Sequence, residues 1–550
     1  MGKIWLKRYE KEVPATIRMP EWTMDWLFRQ SVDKNPQDTA TLFFGARLRW
    51  DQLGHMVGRF ASALASSGVG PGDRIAVILP NMPAYPIAHF ATWRLGGVLV
   101  PTNPLYVERE LEYQLSDSGA ETVVILDQLY PRFAKIRVAT AVKRVIVVGI
   151  ADFLPSVLRL LYRLKNKPVV QTGSTEGVYT YRDFLRRAGS RGAPAQLSAD
   201  DVAILLYTGG TTGFSKGAVL THRNLAANVT QTRAWLWSMK DEQEVLLCVL
   251  PFFHSYGMTT GLHLAVLSRS TMVLVPRFDL GEVLKRIRKH APTVFCGVPS
   301  MYQAINRYPK VSAGDLSSIR LCISGGAGLP GEVQKRFEGL TGGKLVEGYG
   351  LSETSPVTHV NPTFGVRKNG SIGVPVPGTE AMVVDPTTRS PQPADQVGEL
   401  AIRGPQVMQG YWNRPEETNQ VLQDGWLYTG DLARMDQDGF FFIVDRKKDL
   451  IISAGMNVYP REVEEVLLGH PKVIEVAVVG VPSAVREEIV KAYVVADRKQ
   501  MPTKRELVQF CRDKLARYKV PKRVEFVQEL PKSALGKVLK RQLQTLEKDE

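Results

Sequence analysis

Cysteine is scarce in this chain, with four residues among 550. Cys248, Cys296, Cys322 and Cys511 lie far apart, and no pair has the close spacing of a zinc or thiol-redox motif. The pattern argues against a disulfide framework and against a cysteine-built metal centre. Three of the four sit in apolar, strand-like runs, which predicts small buried hydrophobic side chains. We therefore expect a reduced, cytoplasmic protein.

Long apolar runs are also lacking. No stretch approaches the ~18 residues that a membrane-spanning helix needs. The first residues, MGKIWLKRYEKEVP, have no continuous apolar stretch behind their basic residues, so a secretory signal is not expected. Leu6 stands where a myristoylation signal at Gly2 would need Ser or Thr.

Acidic residues are in the minority, with 55 Asp and Glu against 70 Lys and Arg and a formal net charge of +15. This balance suits anionic partners such as nucleotides, nucleic acids or a membrane surface. No segment interleaves aromatic and basic residues in the manner of a nucleic-acid groove, so nucleic acid is not an expected partner. Residues 131–167 are the most basic stretch, with nine Lys and Arg and a single acid.

Within that stretch, DFLPSVLRLLYRL predicts a short amphipathic helix. Its apolar residues recur at helical spacing, and Arg159 and Arg163 share another face. The apolar set is Leu154, Val157, Leu158, Leu161 and Leu164. Two interpretations stay open: an interfacial helix that makes a peripheral membrane contact, or a helix packed on the protein with a solvated basic face.

Short Val/Ile/Leu runs alternate with helix-like stretches through the first two thirds of the chain, as in RIAVILP, TVVIL and VAILLYT. Apolar strands of this kind predict parallel sheets buried on both faces. From about residue 361 to 445, Pro and Gly become dense and short strands predict a small antiparallel sheet or barrel. A fresh strand–helix pattern follows. We expect a large N-terminal α/β domain at 1–445, including the barrel-like part, and a small mobile α+β domain at 446–550.

The stretch LLYTGGTTGFSKGAVLTHRN at 205–224 combines glycines and hydroxyl residues with a lysine, directly after a predicted strand. Ligands sit at the carboxyl ends of such strands. The string does not match the Walker A pattern, because Ser215 precedes Lys216 and Gly217 follows it. The loop therefore predicts phosphate binding of another kind.

Six further motifs accompany this loop in order along the chain. They are LPFFHSYG at 250, GGAGLP at 325, EGYGLSET at 347, YTGD at 428, DRKKDLIISAGMNVYPREVE at 445 and LPKSALGKVLKR at 530. Together the seven resemble the adenylate-forming superfamily of acyl-CoA synthetases, luciferases and adenylation domains. The spellings YTGGTTG and LPFFHSYG look most like long-chain fatty acyl-CoA synthetases.

The resemblance implies a two-step reaction with ATP, Mg²⁺ and CoA. A fatty acid carboxylate attacks the α-phosphate of ATP, which gives an acyl-adenylate and pyrophosphate, and the CoA thiol then attacks the acyl carbon. The implied catalytic residues are Lys537, Glu353, His254 and Lys216. Glu353 and Thr208 would hold the magnesium, Lys448 would be the hinge, and Gly455 would border the CoA channel.

The resemblance also implies a set of nucleotide contacts. They are Thr208, Gly209, Gly210, Thr211, Thr212, Gly213, Lys216, Gly325, Gly326, Ala327, Gly348, Tyr349, Gly350, Thr354, Asp431, Arg446 and Lys537. Tyr349 would stack on adenine. Asp431 would accept the ribose hydroxyls, which suits a carboxylate with two oxygens.

Four functions remain open. A ligase that makes fatty acyl-CoA is favoured. The alternatives are an acyl-adenylate ligase that loads a carrier protein or another carboxylate–CoA ligase, a luciferase-type oxygenase, and a non-catalytic membrane-binding or scaffold protein on the same fold. Retention of Lys216, Glu353, Asp431 and Lys537 argues against the last. A homodimer is a further expectation, since relatives are often dimers.

Overall fold

The computed structural model of the protein describes residues 3–165, 175–189, 194–208, 215–453, 456–482, 488–497, 500–533, 536 and 538–546. It divides into two compact units, one of Met1–Glu380 with Arg403–Leu427 and the other of Ala381–Ile402 with Tyr428–Glu550. We expected the domain boundary at residue 446 because the residues after it were expected to move about a hinge. That boundary stays a prediction. The mixed α/β class with parallel sheets is confirmed.

The largest sheet of the first unit has eight strands, and its middle is parallel. In spatial order they are Gly410–Tyr411, Lys216–Thr221, Val202–Thr208, Val98–Pro101, Arg74–Ile78, Thr122–Leu126, Arg144–Val148 and Val178–Thr180. The strand Thr122–Leu126 is buried throughout, which matches its unbroken apolar sequence. Lys216–Thr221 pairs antiparallel with Val202–Thr208 and turns the sheet's edge into a hairpin.

Two smaller sheets complete the first unit. One has the order Val245–Cys248, Thr271–Leu274, Thr39–Phe43 and Ala46–Arg49. The other has the order Leu321–Ser324, Lys344–Gly350, Val357–Val360 and Val374–Pro375, and its first pair is parallel.

Helices cover these sheets. They are Met24–Lys34, Trp50–Ser66, Ala84–Arg94, Glu108–Ser118, Tyr130–Ile136, Ser156–Lys165, Tyr181–Leu185, His222–Trp235, Ser255–Gly257, Leu264–Leu267, Leu280–His290, Pro299–Arg307, Ala313–Leu316, Gly331–Thr341 and Pro415–Val421. A π-helical stretch, Met258–His263, joins Ser255–Gly257 to Leu264–Leu267. Along the described chain, each helix is too short or too polar to cross a bilayer.

The second unit contains most of a five-stranded sheet. Its strands are Glu380–Val384, Gly398–Arg403, Trp426–Met435 and Leu422–Gln423 in that order, with Phe441–Arg446 paired antiparallel to Trp426–Met435. Beyond it lie the hairpin Ile451–Ser453 with Met456–Val458 and a sheet of Val473–Pro482, Glu488–Ala496 and Arg523–Phe526. The helices Pro460–Leu468, Lys504–Arg512 and Lys540–Leu546 accompany them.

All four cysteines are free and buried, whereas the sequence predicted burial for three of them. Burial raises the pKa of the Cys296 thiol to about 11 and has the same effect on Cys511. Both therefore stay protonated near neutral pH and behave as small apolar side chains.

Candidate active site

The predicted phosphate loop connects the two strands of the edge hairpin. Thr208 ends one strand, Lys216 begins the next, and the two residues face each other in the antiparallel register. The hairpin therefore fixes both ends of the loop. The predicted contacts Gly209, Gly210, Thr211, Thr212 and Gly213 lie outside the described residues.

A tyrosine joins the two charged residues that the sequence assigns to this loop and to the magnesium. The Lys216 Nζ lies 5.2 Å from the centre of the Tyr411 ring. The hydroxyl of the same tyrosine donates to Glu353 Oε1 at 2.9 Å. Burial, followed by the charge and hydrogen bond of Glu353, raises the pKa of Tyr411, so its hydroxyl remains a donor. The structure thus brings Lys216 to the ring face and Glu353 to the hydroxyl of one tyrosine.

Glu353 sits in a short turn that backbone and side-chain hydrogen bonds hold firmly. It belongs to the 3₁₀ helix Ser352–Thr354, and its carbonyl accepts the Met408 N–H at 2.9 Å. The buried Thr354 hydroxyl donates to Pro356 O at 2.6 Å and accepts the Leu351 N–H at 3.1 Å. Thr354 therefore orders the turn that carries Glu353, and its predicted nucleotide contact stays a prediction.

The glycines assigned to adenine lie where two parallel strands end. Ser324 and Glu347 are register partners, so Gly325, Gly326 and Ala327 follow one strand beside Gly348 to Gly350 of the next. A side chain is excluded at Gly350, because an added Cβ would lie 1.9 Å from Pro356 O. Gly326 has a φ of +80°, which favours glycine.

Tyr349 lies between these glycines on the same strand. Its ring is half-buried, and it meets the His359 ring edge-to-face at 6.0 Å. The pairing of Tyr349 with His359 across the strands holds the ring in place. The stacking on adenine stays a prediction.

His254 caps a helix. Its Nδ1 accepts the Tyr256 N–H at 3.2 Å at the start of Ser255–Gly257. The next residue, Ser255, lies with its hydroxyl 3.3 Å from that of Ser352, so this loop adjoins the turn that carries Glu353. The structure shows a capping role for His254 and leaves its catalytic role a prediction. The adjoining π-helical stretch is a feature frequent at functional sites.

In the second unit, Asp431 and Arg446 face each other on paired strands. Arg446 Nε lies 3.3 Å from Asp431 Oδ1, and the carboxylate is almost fully buried. The pair orients the carboxylate assigned to the ribose. Burial, together with the charge of Arg446, lowers the pKa of the nearby Lys448 ammonium. Lys537 and Gly455 lie outside the described residues.

Comparison with known proteins decides the family. A sequence model described as AMP-binding enzyme matches residues 28–412. The chain belongs to the AMP-binding enzyme family. A second model, the AMP-binding enzyme C-terminal domain, matches residues 462–537. The resemblance to the adenylate-forming superfamily is therefore confirmed.

Relatives of this AMP-binding enzyme match over nearly the full length. A long-chain-fatty-acid–CoA ligase of Bacillus subtilis is 43% identical over 98% of this chain and 97% of its own. One of Escherichia coli O157:H7 is 40% identical over 99% and 98%. The crystal structure of ATP-bound MatB from Rhodopseudomonas palustris covers 96% of this chain and 99% of its own, with a TM-score of 0.85 and 32% identity. The chain is an adenylate-forming ligase, a class of enzyme that uses ATP.

The residues that support the loop of this AMP-binding enzyme were not predicted from the sequence. The Asp117 carboxylate accepts hydrogen bonds from the Tyr207 hydroxyl at 2.6 Å and from the Arg414 guanidinium at 2.9 Å. Burial and the Asp117 carboxylate raise the pKa of Tyr207, which keeps it a donor. Tyr113 donates to Ser215 O at 3.0 Å, directly before Lys216. These groups pin the lysine end of the hairpin.

Tyr411 was missed as well. It lies in QGYWNRPEET, a string inside the region that the sequence assigned to a small sheet. The strand Gly410–Tyr411 instead pairs with Lys216–Thr221 at the edge of the large sheet. A cluster of aromatic and charged residues in a loop was the available signal, but its partner strand lies almost 200 residues earlier.

Proposed function

We propose that this chain is an AMP-forming long-chain fatty acid–CoA ligase. The observation that carries the proposal is the Lys216–Tyr411–Glu353 arrangement at the phosphate hairpin, in a chain 43% identical over its length to a named ligase of this kind. A carboxylate oxygen would bond to the α-phosphorus of ATP as the bond to pyrophosphate breaks. The CoA sulfur would then bond to the acyl carbon and release AMP.

The first step brings two anions together, so it depends on cations and donors that are already in place. Lys216 supplies one charge beside the hairpin, and Tyr411 holds its ammonium over the ring face. Thr208 to Gly213 would present hydroxyls and N–H groups to the phosphates. We assign Lys537 as the second cation, at the α-phosphate, on the resemblance of SALGKVLKR.

The proposed magnesium ligand is Glu353, with Thr208 as its partner. Mg²⁺ prefers one or two protein oxygens together with water and phosphate, and it supplies charge neutralisation when bound. Glu353 fits this preference, since it is a partly exposed carboxylate whose Oε1 is oriented by Tyr411. Among the described residues, no three His, Cys, Asp or Glu side chains form a metal cage.

Asp431 and Arg446 would bind the ribose, with Gly325 to Ala327 and Tyr349 at the base. Lys448 would be the hinge about which the C-terminal residues turn between the two steps, and Gly455 would border the CoA channel. The ion pair between the buried Asp431 carboxylate and the partly exposed Arg446 supports the use of this region as a fixed contact.

The proposal includes location and partners. We place the protein in the cytoplasm, which its four free, buried cysteines support. We also propose peripheral contact with a membrane, because long acyl chains partition into bilayers. The proposal of a homodimer rests on the resemblance alone, and light scattering of the purified protein would test it.

The decisive experiment measures pyrophosphate release with acids from short to long, with and without CoA. With palmitate, the protein should form the acyl-adenylate in the absence of CoA and the thioester when CoA is added. In the same assay, Lys537→Ala should lower adenylation by about 10²–10³, the usual loss for one preorganised donor. Thioester formation from supplied acyl-adenylate should change little.

Three outcomes would contradict parts of this proposal. Transfer to a carrier protein but not to CoA would favour the loading ligase. A preference for short or aromatic acids would make it another carboxylate–CoA ligase. Equal losses in both half-reactions would remove Lys537 from its assigned step.

The magnesium assignment has its own test, Glu353→Gln. The change keeps the shape of the side chain and its acceptor for Tyr411 but removes the charge, so half-maximal adenylation should need more Mg²⁺. A magnesium titration of pyrophosphate release measures this. Glu332→Gln, on an exposed helix start, is the matched control. A titration that matches the parent would mean that Glu353 is not the ligand.

A further inference from the structure

The helix Ser156–Lys165 presents its apolar side to solvent. The exposed fractions are 72% for Val157, 43% for Leu158, 62% for Leu160, 51% for Leu161 and 76% for Leu164. Single exposed hydrophobics are ordinary, but a contiguous set on one ten-residue helix marks an interaction surface. Leu154, expected on the same face, precedes the helix and is buried.

Two polar side chains of this helix that the structure describes, Arg159 and Tyr162, bond to other parts of the protein. Arg159 lies roughly 160° around the helix from Val157 and from Leu161, at 100° per residue. Its Nη2 donates to Leu154 O at 3.0 Å, and its Nε is buried. Tyr162 accepts a hydrogen bond from Gln128 at 3.1 Å. This orientation reverses that of an ordinary surface helix, which turns its apolar side inward. Arg159, which the sequence placed on a basic face, is engaged by the protein.

Fewer basic residues of the 131–167 stretch are available to an outside partner than the sequence suggests. Lys135 and Lys143 are each 2.7 Å from a glutamate, Glu108 and Glu121. Three arginines of the same stretch donate to backbone carbonyls: Arg132, Arg137 and Arg144. The basic residues before the helix are therefore engaged by the protein itself. Beyond Arg159, residues 160–175 have three Lys and Arg and no acid in the sequence.

We propose that the helix Ser156–Lys165 inserts its leucine side into the surface of an anionic lipid bilayer. Exposed apolar residues beside basic ones match the two layers of such a surface, the acyl boundary and the charged headgroups. A second copy of the chain fits less well. A two-fold interface would bring two copies of this segment together, with its three remaining basic residues and no acid to pair with them. This inference rests on the membrane contact proposed above and assigns it to one helix. Its test is separate from the reaction, because the binding requires neither ATP nor CoA.

Vesicle flotation tests the surface directly. The intact protein should float with phosphatidylglycerol vesicles at low salt, and less with phosphatidylcholine vesicles. The double variant Leu160→Ser with Leu164→Ser should reduce the bound fraction at least tenfold. A matched control, Leu468→Ser with Met501→Ser, removes comparably exposed side chains from the second unit and should float like the parent. Unchanged thermal unfolding would show that each variant is folded.

A salt series separates the contribution of charge attraction to vesicle binding from that of leucine insertion. Salt screens the attraction between charges but not the burial of leucine side chains, so part of the binding should persist at high salt. The double variant should lose that part. Binding that vanishes completely at high salt, or that the double variant retains, would overturn the insertion. Absence of flotation by the parent would do the same.

A single dye reports insertion of the helix itself. Since all four native cysteines are buried, Leu161→Cys would offer one accessible thiol for an environment-sensitive label. The emission should shift to the blue on addition of phosphatidylglycerol vesicles, whereas a label at Met501→Cys should not respond. If the parent is instead a dimer that the double variant dissociates, and vesicles leave the label unchanged, the surface joins two copies and the proposal fails.

Discussion

At the scale of the residue, Tyr411 is the side chain that connects the two charged residues of the candidate site. Its ring lies against Lys216 and its hydroxyl bonds to Glu353, so one side chain positions both charges. A tyrosine suits this place because its ring face attracts a cation while its hydroxyl orients an anion. Removal of the hydroxyl should therefore affect the carboxylate and spare the lysine.

The first prediction concerns Tyr411→Phe. Loss of one hydrogen bond to a charged group costs about 1.5 kcal/mol or more, hence at least about a tenfold slower adenylation. The half-maximal Mg²⁺ concentration should rise, and added Mg²⁺ should restore part of the rate. Pyrophosphate release over a magnesium series measures both effects.

Tyr9→Phe is the matched control, since its hydroxyl donates to Pro375 O at 2.6 Å and touches neither charge. It should leave the magnesium series unchanged. If Tyr411→Phe behaves like this control, the tyrosine does not position Glu353.

The sequence predicted Lys216 and Glu353 but not Tyr411. The first two stand in motifs with a readable chemistry, a loop rich in hydroxyls and a lone acid after a strand. Tyr411 has no such marker, and it acts only because its short strand pairs with the hairpin. A positioning residue becomes visible when its two partners are seen together.

At the scale of the element, buried histidines link two helical segments. His89 in Ala84–Arg94 and His263 in Met258–His263 approach with their Nε2 atoms 3.1 Å apart. Burial, and then the charge of His222, lowers the pKa of His263 to about 3. Burial also lowers the pKa of His89. Both rings are therefore neutral in the folded protein near neutral pH.

The second prediction is a loss of stability in acid. The unfolded chain takes up a proton on each histidine near pH 6.5, whereas the folded chain does not until about pH 3 at His263. Stability is thus fully present above pH 6.5 and is lost as pH falls from there towards 3. Urea unfolding at several pH values should show a decline of about 1.4 kcal/mol per pH unit for each such histidine.

The variant His263→Gln isolates this contribution. It should be less stable at pH 7.5, because a well-packed ring is lost, but its decline with falling pH should be shallower by about 1.4 kcal/mol per unit. The control Thr260→Ser changes a residue of the same helical stretch that has no titratable side chain, and it should keep the parent slope. Equal slopes for His263→Gln and the parent would mean that His263 is protonated when folded.

The helix Ser156–Lys165 shows what periodicity can and cannot predict for an element. The spacing of Val157, Leu161 and Leu164 predicted the helix and its apolar face. It left open which face meets the protein. That orientation depends on the hydrogen bonds of the polar residues with Leu154 O and Gln128. Tertiary packing decided the orientation.

At the scale of the whole molecule, the candidate site residues are divided between two compact units. Lys216, Tyr411 and Glu353 belong to the first, and Asp431, Arg446 and Lys448 to the second. Lys448, in the short 3₁₀ helix Lys447–Asp449, lies inside the second unit and not at a connection between the two units. It is the pivot that we propose for the residues that follow it.

The third prediction tests that pivot with Lys448→Pro. Proline fixes φ near −65° and removes an N–H, so it should restrict rotation of the residues that follow. Adenylate formation should remain near normal while transfer to CoA slows by about tenfold or more, as expected when a conformational step is hindered. Single-turnover assays of the two half-reactions measure the split.

Lys448→Ala is the control, because it removes the same ammonium and leaves the backbone free. It should transfer at close to the parent rate. Transfer by Lys448→Pro at the parent rate would place the hinge elsewhere.

The sequence by itself determined the fold class, the seven motifs and the family, because apolar strand runs and ordered motif strings are local patterns that any reader of the chain can detect. Only the tertiary structure placed Tyr411 between Lys216 and Glu353, set Asp117 under the hairpin, and turned the leucines of Ser156–Lys165 outward. Each of these joins residues far apart in sequence or chooses between two faces of one element. Such choices are made by the packing of the whole chain, through burial and hydrogen bonds that no single stretch contains.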